Sequence, residues 1–380
     1  MKIHRSGLAA TLACLAFGIG NTAWADYVAY SVSEDGRAPL PEQIDELEAK
    51  YLLNVDWGAY SGRKARLGVL EVDNNSSAGS FKVSGPDGDY EYEYQGAHSN
   101  TVPVNGIEAI VIDSLNRTGR FRLVERTELS SVLGEQDLAA SGRVAAPSGA
   151  KTGNVLGAEF LVQVVITDYE SDVGGKTTGI GGFASKVPLL GGVKMKKGHG
   201  RVGLNVRLVD AETSEIVFTK QIESVIKESG LTFGAAGYGG GVGLGGFMSE
   251  YSKTPIGQAV IAGINEGTFE LVKQIGARTA EGSVVKADAN QIFVNLGADS
   301  VAMGDTLRVV EEGEALIDPE TGISLGGSQT VIGEISVSQV NEKYSIATPV
   351  SLSKVPARGD KVVATKAAEP LQFASSWSPP

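Results

Sequence analysis

One long stretch, Gly119 to Val217, constrains the fold more than any other part of the chain. It begins with a strand pattern and a helix pattern, and continues with the apolar run Phe160 to Ile166, which is typical of a buried strand. After a glycine-rich interruption, apolar residues alternate with polar or small ones at Val202, Leu204, Val206 and Leu208. A polar turn then leads into Ile216-Val217-Phe218. This order predicts an α/β or α+β domain built in layers, with a long insertion between two neighbouring strands.

The same stretch contains a series of sequence segments in a fixed order: LVER, VLGEQ, LGAEFLV, ITDYESDV, VRLVDAETSEIV and, later, SEYSKTPIGQAV. In order and spacing these segments resemble the curli secretion channel family (the CsgG family). The resemblance extends from about Arg66 to Ile275 and implies a ring-shaped outer-membrane oligomer. In such a ring each subunit gives β-hairpins to a shared barrel, and a periplasmic ring narrows the pore. The resemblance also implies export or anchoring of amyloid-like or adhesive surface proteins, without hydrolysis.

The overall charge and hydropathy exclude two further classes of protein. The 380 residues carry a formal net charge of -12, so binding to nucleic acid through counterion release is not expected. Outside the N-terminus there is no apolar run of about 18 or more residues, so no transmembrane helix is expected.

Residues 1–25 have the pattern of a signal peptide. A charged start is followed by an apolar run, Leu8 to Ile19, and by the cleavage motif Ala23-Trp24-Ala25; the alternative is a buried N-terminal helix. Cys14, the only cysteine, lies in the apolar run, so the mature protein should contain no disulfide, reactive thiol or cysteine metal ligand. The best-known family members are lipoproteins, and Thr11-Leu12-Ala13-Cys14 departs from their lipidation pattern. We therefore expect membrane attachment through barrel hairpins alone, or none.

The mature chain divides into three regions and a tail. Residues 26–63 form an N-terminal extension in which Ile44, Leu47 and Tyr51 predict one short amphipathic helix, packed on its own domain or on a neighbouring subunit. Residues 64–276 form the family core, a three-layer-like α/β unit. Residues 277–366 alternate short strands with turns, which predicts a small all-β barrel or sandwich that resembles the C-terminal domain of flagellar assembly protein T. The Ser/Pro-rich tail, 367–380, is expected to be disordered.

Three helices are predicted in the core. Asn105 is expected to cap the first, with Glu108 completing a capping box. The second follows Thr127 and should turn Leu129, Val132 and Leu133 inward. The third should begin at Thr254-Pro255, where a capping residue precedes a proline at the first helical position.

Two glycine-rich insertions, about 169–202 and 222–252, lie where the resemblance implies membrane hairpins. A membrane-spanning strand turns alternate residues to lipid. In the second insertion the apolar positions form a short hairpin pattern, and the candidate lipid-facing residues are Leu231, Phe233, Val242, Leu244 and Phe247. The alternative interpretation is a pair of flexible periplasmic loops.

The segment Tyr90 to Asn100 occupies the position of the family's pore-constricting loop. The resemblance implies that Tyr94, His98 and Ser99 line the constriction, with His98 and Ser99 in place of the family's Asn and Phe. Tyrosines and small polar residues would form a narrow, hydrated gate. The alternative is an ordinary edge strand with its tyrosines on one face.

No motif for catalysis or cofactor binding stands in a convincing context. Gly241 to Gly246 matches G-x-G-x-x-G but lacks a preceding buried strand and a following helix. His98 and His199 lack metal-ligand spacing, and there is no G-x-S-x-G elbow. We therefore expect no cofactor, no metal and no enzyme activity.

Two functional hypotheses remain, besides a nucleotide- or sugar-modifying enzyme as a third. The first is an outer-membrane secretion or anchoring channel that forms a homo-oligomeric ring. Its partners would be an exported unfolded or amyloid-like surface protein, periplasmic accessory proteins and outer-membrane lipid. The alternative is a periplasmic, non-pore accessory factor for envelope or surface-appendage assembly, which the missing lipid anchor and the C-terminal β module favour.

Overall fold

The structure is a computed structural model, which describes residues 29–33, 35–60, 62–76, 80–84, 91–95, 102–172, 199–227, 251–320, 322 and 324–380. Its centre is a six-stranded sheet formed by β4 (Ala65–Val69), β5 (Asp73–Asn74), β8 (Phe121–Val124), β9 (Phe160–Asp172), β10 (His199–Asp210) and β11 (Ile216–Ile226). The strand order is β11-β10-β9-β4-β8, and β5 also pairs with β9. Strands β4, β5, β8 and β9 run parallel, and β9, β10 and β11 are antiparallel. The predicted strands of the core are confirmed.

Two helices cover one face of this sheet. Helix α1 (Val104–Arg117) and helix α3 (Pro255–Ile275) contact each other and the sheet. Alternation in β10 explains why this face is buried, since Val202, Leu204, Val206 and Leu208 all point to the helices and are at most 3% exposed. Helix α3 approaches closely because of its glycines: a Cβ atom added at Gly267 would lie 3.0 Å from the side chain of Val206. In the described part of residues 64–276, α1 and α3 therefore form a layer on one face of the sheet.

The starts of these helices agree only in part with the sequence predictions. Helix α3 begins as predicted, with the Thr254 hydroxyl accepting a hydrogen bond from the Gly257 N–H at 3.0 Å. Helix α1 forms where expected, but its cap was predicted wrongly. Asn105 lies inside the first turn because the helix begins at Val104, after Pro103, and no side chain caps it.

Helix α2 (Leu129–Ala140) was predicted correctly as a helix but wrongly as a buried one. Val132 and Leu133 are 39% and 44% exposed, and within this fully described helix only Gln136 is buried. The helix lies between β8 and β9 in the chain, outside the layer formed by α1 and α3. Its apolar residues therefore face outward, because no element of the described chain covers them.

The N-terminal extension contains short strands and irregular segments rather than the predicted amphipathic helix. It forms a three-stranded sheet in the order β2 (Gly36–Pro39), β1 (Tyr30–Ser33), β3 (Val55–Asp56), and the helical turn among its described residues is a 3-10 turn at Ala49–Leu52. Its apolar side chains nevertheless join the main core: Leu40, Ile44, Leu52, Leu53, Val55 and Trp57 are all buried there. The extension therefore packs on its own domain, which is one of the two arrangements expected from the sequence.

The C-terminal region is a closed six-stranded barrel, which confirms the prediction of a small β barrel. Its strands are β12 (Glu281–Ala287), β13 (Ile292–Val294), β14 (Thr306–Ile317), β15 (Ser324–Val340), β16 (Ser345–Leu352) and β17 (Lys361–Ala364). They close in the order β12-β13-β16-β15-β14-β17 around a separate apolar core. Nothing in the comparisons below bears out the likeness to flagellar assembly protein T.

Two sets of contacts join the barrel to the core domain. Glu159, at the start of β9, binds the guanidinium groups of Arg63, Arg66 and Arg278, and Arg122 pairs with Asp299 of the barrel. These contacts lie at the end of the main sheet near Arg278, where the chain passes from α3 to β12.

The tail, 367–380, is ordered against the core, and our expectation of disorder was wrong. The ring of Phe373 packs edge-on against Phe269 at 5.6 Å, and Trp377 packs in the same way against Tyr51 at 5.3 Å. The Ala374 N–H also donates to the Leu40 carbonyl at 3.0 Å. Composition predicted disorder, but these aromatic side chains provide enough apolar surface to bind the tail.

Candidate functional site at the insertion end of the main sheet

The two glycine-rich insertions leave the main sheet from the same end. Strand β9 ends at Asp172, directly opposite His199 at the start of β10, and Gly200 pairs with Ile226 near the end of β11. The first insertion therefore joins β9 to β10, and the second leaves β11 beside it. Strand β5 runs parallel to β9, so the segment after β5 departs toward this end too. We call it the insertion end of the sheet.

The strands continue farther than the sequence predicted. Residues 169–172 and 199–202 were assigned to the first insertion, but they pair as the last rungs of β9 and β10. Likewise β11 includes the residues from 222 to Ile226. The rest of the two insertions, 173–198 and 228–250, lies outside the described residues.

A charged cluster joins three strands at the insertion end, on the face opposite the helices. Arg201 of β10 binds Glu223 of β11 at 3.0 Å, and Asp168 and Glu170 of β9 at 3.2 and 3.7 Å. The hydrogen bond that Arg201 donates to Glu223, followed by the charges of Glu223, Asp168 and Glu170, raises the pKa of the Arg201 guanidinium above its ordinary value. One cation thus connects β9, β10 and β11 just before the chain leaves the sheet.

The helix-side face of the same end is closed by backbone and tyrosine contacts. Gly200 lies against the first residues of α3, where an added Cβ would overlap the backbone of Pro255 and Ile256. The hydroxyls of Tyr169 and Tyr251 are 3.1 Å apart. Burial raises the pKa of both phenols, so they remain neutral. After the second insertion the chain therefore rejoins the fold at Tyr251, next to the end of β9 where the first insertion begins.

The predicted constriction segment is only partly described. Strand β6 (Ser80–Ser84) and strand β7 (Glu91–Gln95) form a two-stranded antiparallel sheet of their own, in which Tyr94 lies opposite Phe81. Tyr94 therefore lies in a strand, and its place at a pore constriction stays a prediction. His98 and Ser99 lie outside the described residues.

The predicted lipid-facing residues also lie outside the described part of the chain: Leu231, Phe233, Val242, Leu244 and Phe247. Among the described helices, none is both long and apolar enough to cross a bilayer. The described side chains also contain no cluster of three His, Cys, Asp or Glu residues that could bind a metal.

Sequence reasoning missed the residues that organise the insertion end. The charges at Asp168, Glu170, Arg201 and Glu223 are spread over three strands, and they become neighbours only once the strand register is known. A useful signal was present: each of them is a polar residue in an alternating strand, on the face of the sheet away from the helices. Gly200, before an alternating strand, was a second signal, since glycine in a strand often marks a close backbone approach.

Comparison with known proteins identifies the family of this chain. The model of the family described as curli production assembly/transport component CsgG matches residues 61–298, more than half of the chain. No curated protein matches the chain.

Among solved structures, protein XCC0632 from Xanthomonas campestris is 14% identical, and the match covers 57% of this chain and 88% of that one, with a TM-score of 0.27. Protein CT253 from Chlamydia trachomatis is 11% identical over 55% and 96% of the two chains, with a TM-score of 0.29. A PelC dodecamer from Paraburkholderia phytofirmans is 12% identical over 56% and 91%, with a TM-score of 0.24. These scores are too low to add to the family match, which by itself covers the sheet, its helices and both insertions. The chain belongs to the CsgG family of curli production assembly and transport components.

Proposed function

We propose that this protein is the subunit of an oligomeric outer-membrane channel that passes or anchors unfolded, curli-like or adhesive surface proteins. The observation that carries the proposal is the common exit of the two insertions of a CsgG-family core from one end of its sheet. Segments that leave adjacent strands side by side can continue as neighbouring hairpins in one direction.

Two hairpins per subunit require several subunits. They supply four strands, and the interior of a barrel requires about eight strands to be filled by side chains. A channel wide enough for a polypeptide therefore needs copies arranged around an axis, through a heterologous interface that closes into a ring. Leu231, Phe233, Val242, Leu244 and Phe247 would then face lipid.

The charged cluster supports this assignment because hairpins of a shared barrel need fixed roots. Arg201 connects β9, β10 and β11 at their last rungs, and Gly200 sets the start of α3 against them. Exposed ion pairs of this kind contribute little to stability. Their role here is to fix the relative positions of three strand ends.

The constriction is assigned to the segment that follows β5 and includes β7. It departs toward the insertion end, where a ring of copies would bring equivalent segments together around the axis. Tyr94, His98 and Ser99 would form a hydrated gate, narrow enough to hold an unfolded chain in the pore and too polar to bind it tightly.

Single-channel recording in planar bilayers tests this function. Tyr94→Ala removes a large side chain from the gate and should raise the current through each channel. Tyr238→Ala, in the second insertion near the proposed hairpin tip, is the matched control and should conduct like the parent. Phe233→Asp should instead reduce insertion, because a charge on the lipid face is costly.

The outcomes separate the two hypotheses. If Tyr94→Ala conducts like the parent, β7 is structural and the constriction lies elsewhere. If neither the parent nor any variant gives a current, the pore is refuted. A protein that remains soluble without detergent after osmotic shock would then support the accessory-factor alternative.

A further inference from the structure

Strands β14 and β15 extend beyond the barrel as a two-stranded arm. The last pairing of β14 with β17 is Val310 with Lys361, and the last pairing of β15 with β16 is Gly333 with Leu352. Past these residues the two strands are paired, within the described chain, only with each other. Residues 311–317 and 324–331 therefore form a hairpin, the β14–β15 arm, that extends roughly 20 Å from the barrel at about 3.3 Å per residue.

The base of the arm is fixed to the barrel by two ion pairs. Lys354, after β16, binds Glu311 at 2.7 Å, and Lys361 of β17 binds Glu312 at 2.9 Å. They connect the first residues of the arm to strand β17 and to the loop before it. The arm consequently leaves the barrel in a defined direction.

The tip of the arm is apolar and acidic. Leu316, Ile317 and Leu325 are 63%, 57% and 69% exposed. Residues 313–325 contain three carboxylates, Glu314, Asp318 and Glu320, and no lysine or arginine. An isolated two-stranded hairpin is marginally stable, and exposed apolar groups of this kind mark interaction surfaces. The tip therefore has the chemistry of a docking element for a partly apolar, basic surface.

A partly apolar surface with basic groups in its loop exists on the same chain, on α2 and the loop that follows it. The exposed apolar side chains there are Val132, Leu133, Leu138, Val155 and Leu156. The loop stays on the helix at both ends: Arg126, just before α2, donates to the Leu156 carbonyl at 3.0 Å, and Gly149 lies against Ala139. We call this region the α2 surface.

The loop part of the α2 surface carries charges opposite to those of the arm, whereas α2 itself carries Glu135 and Asp137. Residues 138–158 contain Arg143 and Lys151 and no aspartate or glutamate. Both side chains lie in the loop that carries Val155 and Leu156. An acidic apolar tip and a basic loop with exposed apolar side chains are therefore present on every copy of the chain.

We propose that the β14–β15 arm of one copy docks its apolar tip on the α2 surface of a second copy. The two surfaces differ, so the contact is heterologous and repeats from copy to copy, which suits a closed ring. Opposite charge at the rim sets orientation and excludes like-charged pairings. The docking rests on the proposed function only in one respect, that copies of the chain associate. It gives the C-terminal barrel a role in assembly.

Cysteine cross-linking in the full chain tests the docking. Cys14 is the only cysteine and lies in the predicted signal peptide, so an introduced cysteine is the only thiol of the exported protein. Leu316→Cys and Leu156→Cys are expressed together with different affinity tags and treated with a short bismaleimide. A product that carries both tags is expected. Met303→Cys, 76% exposed and outside the arm, replaces Leu316→Cys as the matched control and should give a severalfold lower yield.

Charge reversal provides a second readout that does not depend on the thiols. Glu314→Lys with Glu320→Lys should reduce the yield of the mixed product severalfold, and Arg143→Glu with Lys151→Glu in the other partner should restore it. Light scattering of the parent separates two failures. If the parent is oligomeric but the arm cross-links no better than Met303→Cys, the docking is refuted and the ring stands. If the parent is monomeric, both are refuted.

Discussion

Replacing Glu266 by glutamine tests the electrostatics of the core directly. Glu266 lies on α3 with a side chain only 11% exposed, and its carboxylate is 3.9 Å from the Lys220 ammonium. Burial, assisted by the nearby charges of Asp45 and Glu270, raises the pKa of Glu266 to about 7, although Lys220 opposes the shift. The carboxyl therefore keeps its proton in the folded protein at pH values where the unfolded chain has lost it.

The sign of the effect on stability follows from proton binding. Between the unfolded pKa of 4.5 and the folded value of about 7, the folded state binds more protons than the unfolded state. The free energy of unfolding therefore falls as the pH rises through this window, and the cost is complete above it. A difference of about 2.5 pKa units corresponds to about 3 kcal/mol near pH 8, and to less than about 0.5 kcal/mol near pH 4.5.

Glu266→Gln removes this ionisation and keeps the shape of the side chain. We expect the variant to be more stable than the parent by up to about 3 kcal/mol near pH 8, and nearly equal to it near pH 4.5. Denaturant unfolding followed by tryptophan fluorescence measures the difference, because Trp57 packs against Phe269 of the same helix at 6.2 Å. Glu46→Gln, at an exposed position, is the control and should change little at either pH. A stability difference that is the same at both pH values would refute the reasoning.

Two further predictions concern packing and buried hydrogen bonds. Gly200→Ala should lower the melting temperature, because its Cβ overlaps the start of α3, whereas Gly134→Ala in α2, with open space around it, should raise stability by up to about 1 kcal/mol. Asn265→Ala should cost about 1–3 kcal/mol in denaturant unfolding, because Asn265 donates to the buried Leu52 carbonyl at 2.7 Å. Asn205→Ala, on the open face of the sheet, should stay within about 0.5 kcal/mol, and equal effects of the two asparagine changes would contradict the assignment.

The sequence predicted those elements whose pattern is local. The strands at Phe160 and Val202 and the helix at Thr254-Pro255 formed where alternation and capping placed them. The closed barrel followed from short strands separated by turns. In each case the signal resides in neighbouring residues, and tertiary contacts agree with it.

The sequence predictions failed where tertiary contacts determine the burial of a residue or the form of an element. Helical spacing shows that Val132 and Leu133 share a face of α2, but it does not show whether another element covers that face. Ile44 and Tyr51 predicted a helix, yet the apolar side chains of the extension reach the core from strands and an irregular segment. The residues of the candidate site, such as Arg201 and Glu223, meet only through the register of β10 with β11. That register depends on distant parts of the chain.

Electron microscopy of the detergent-extracted protein tests the central claim most directly. The account predicts ring-shaped particles of many copies, with a central channel at the end from which the two insertions leave the sheet. Images of negatively stained particles would show both features. Particles of single-chain size in detergent and in buffer alike would contradict the channel.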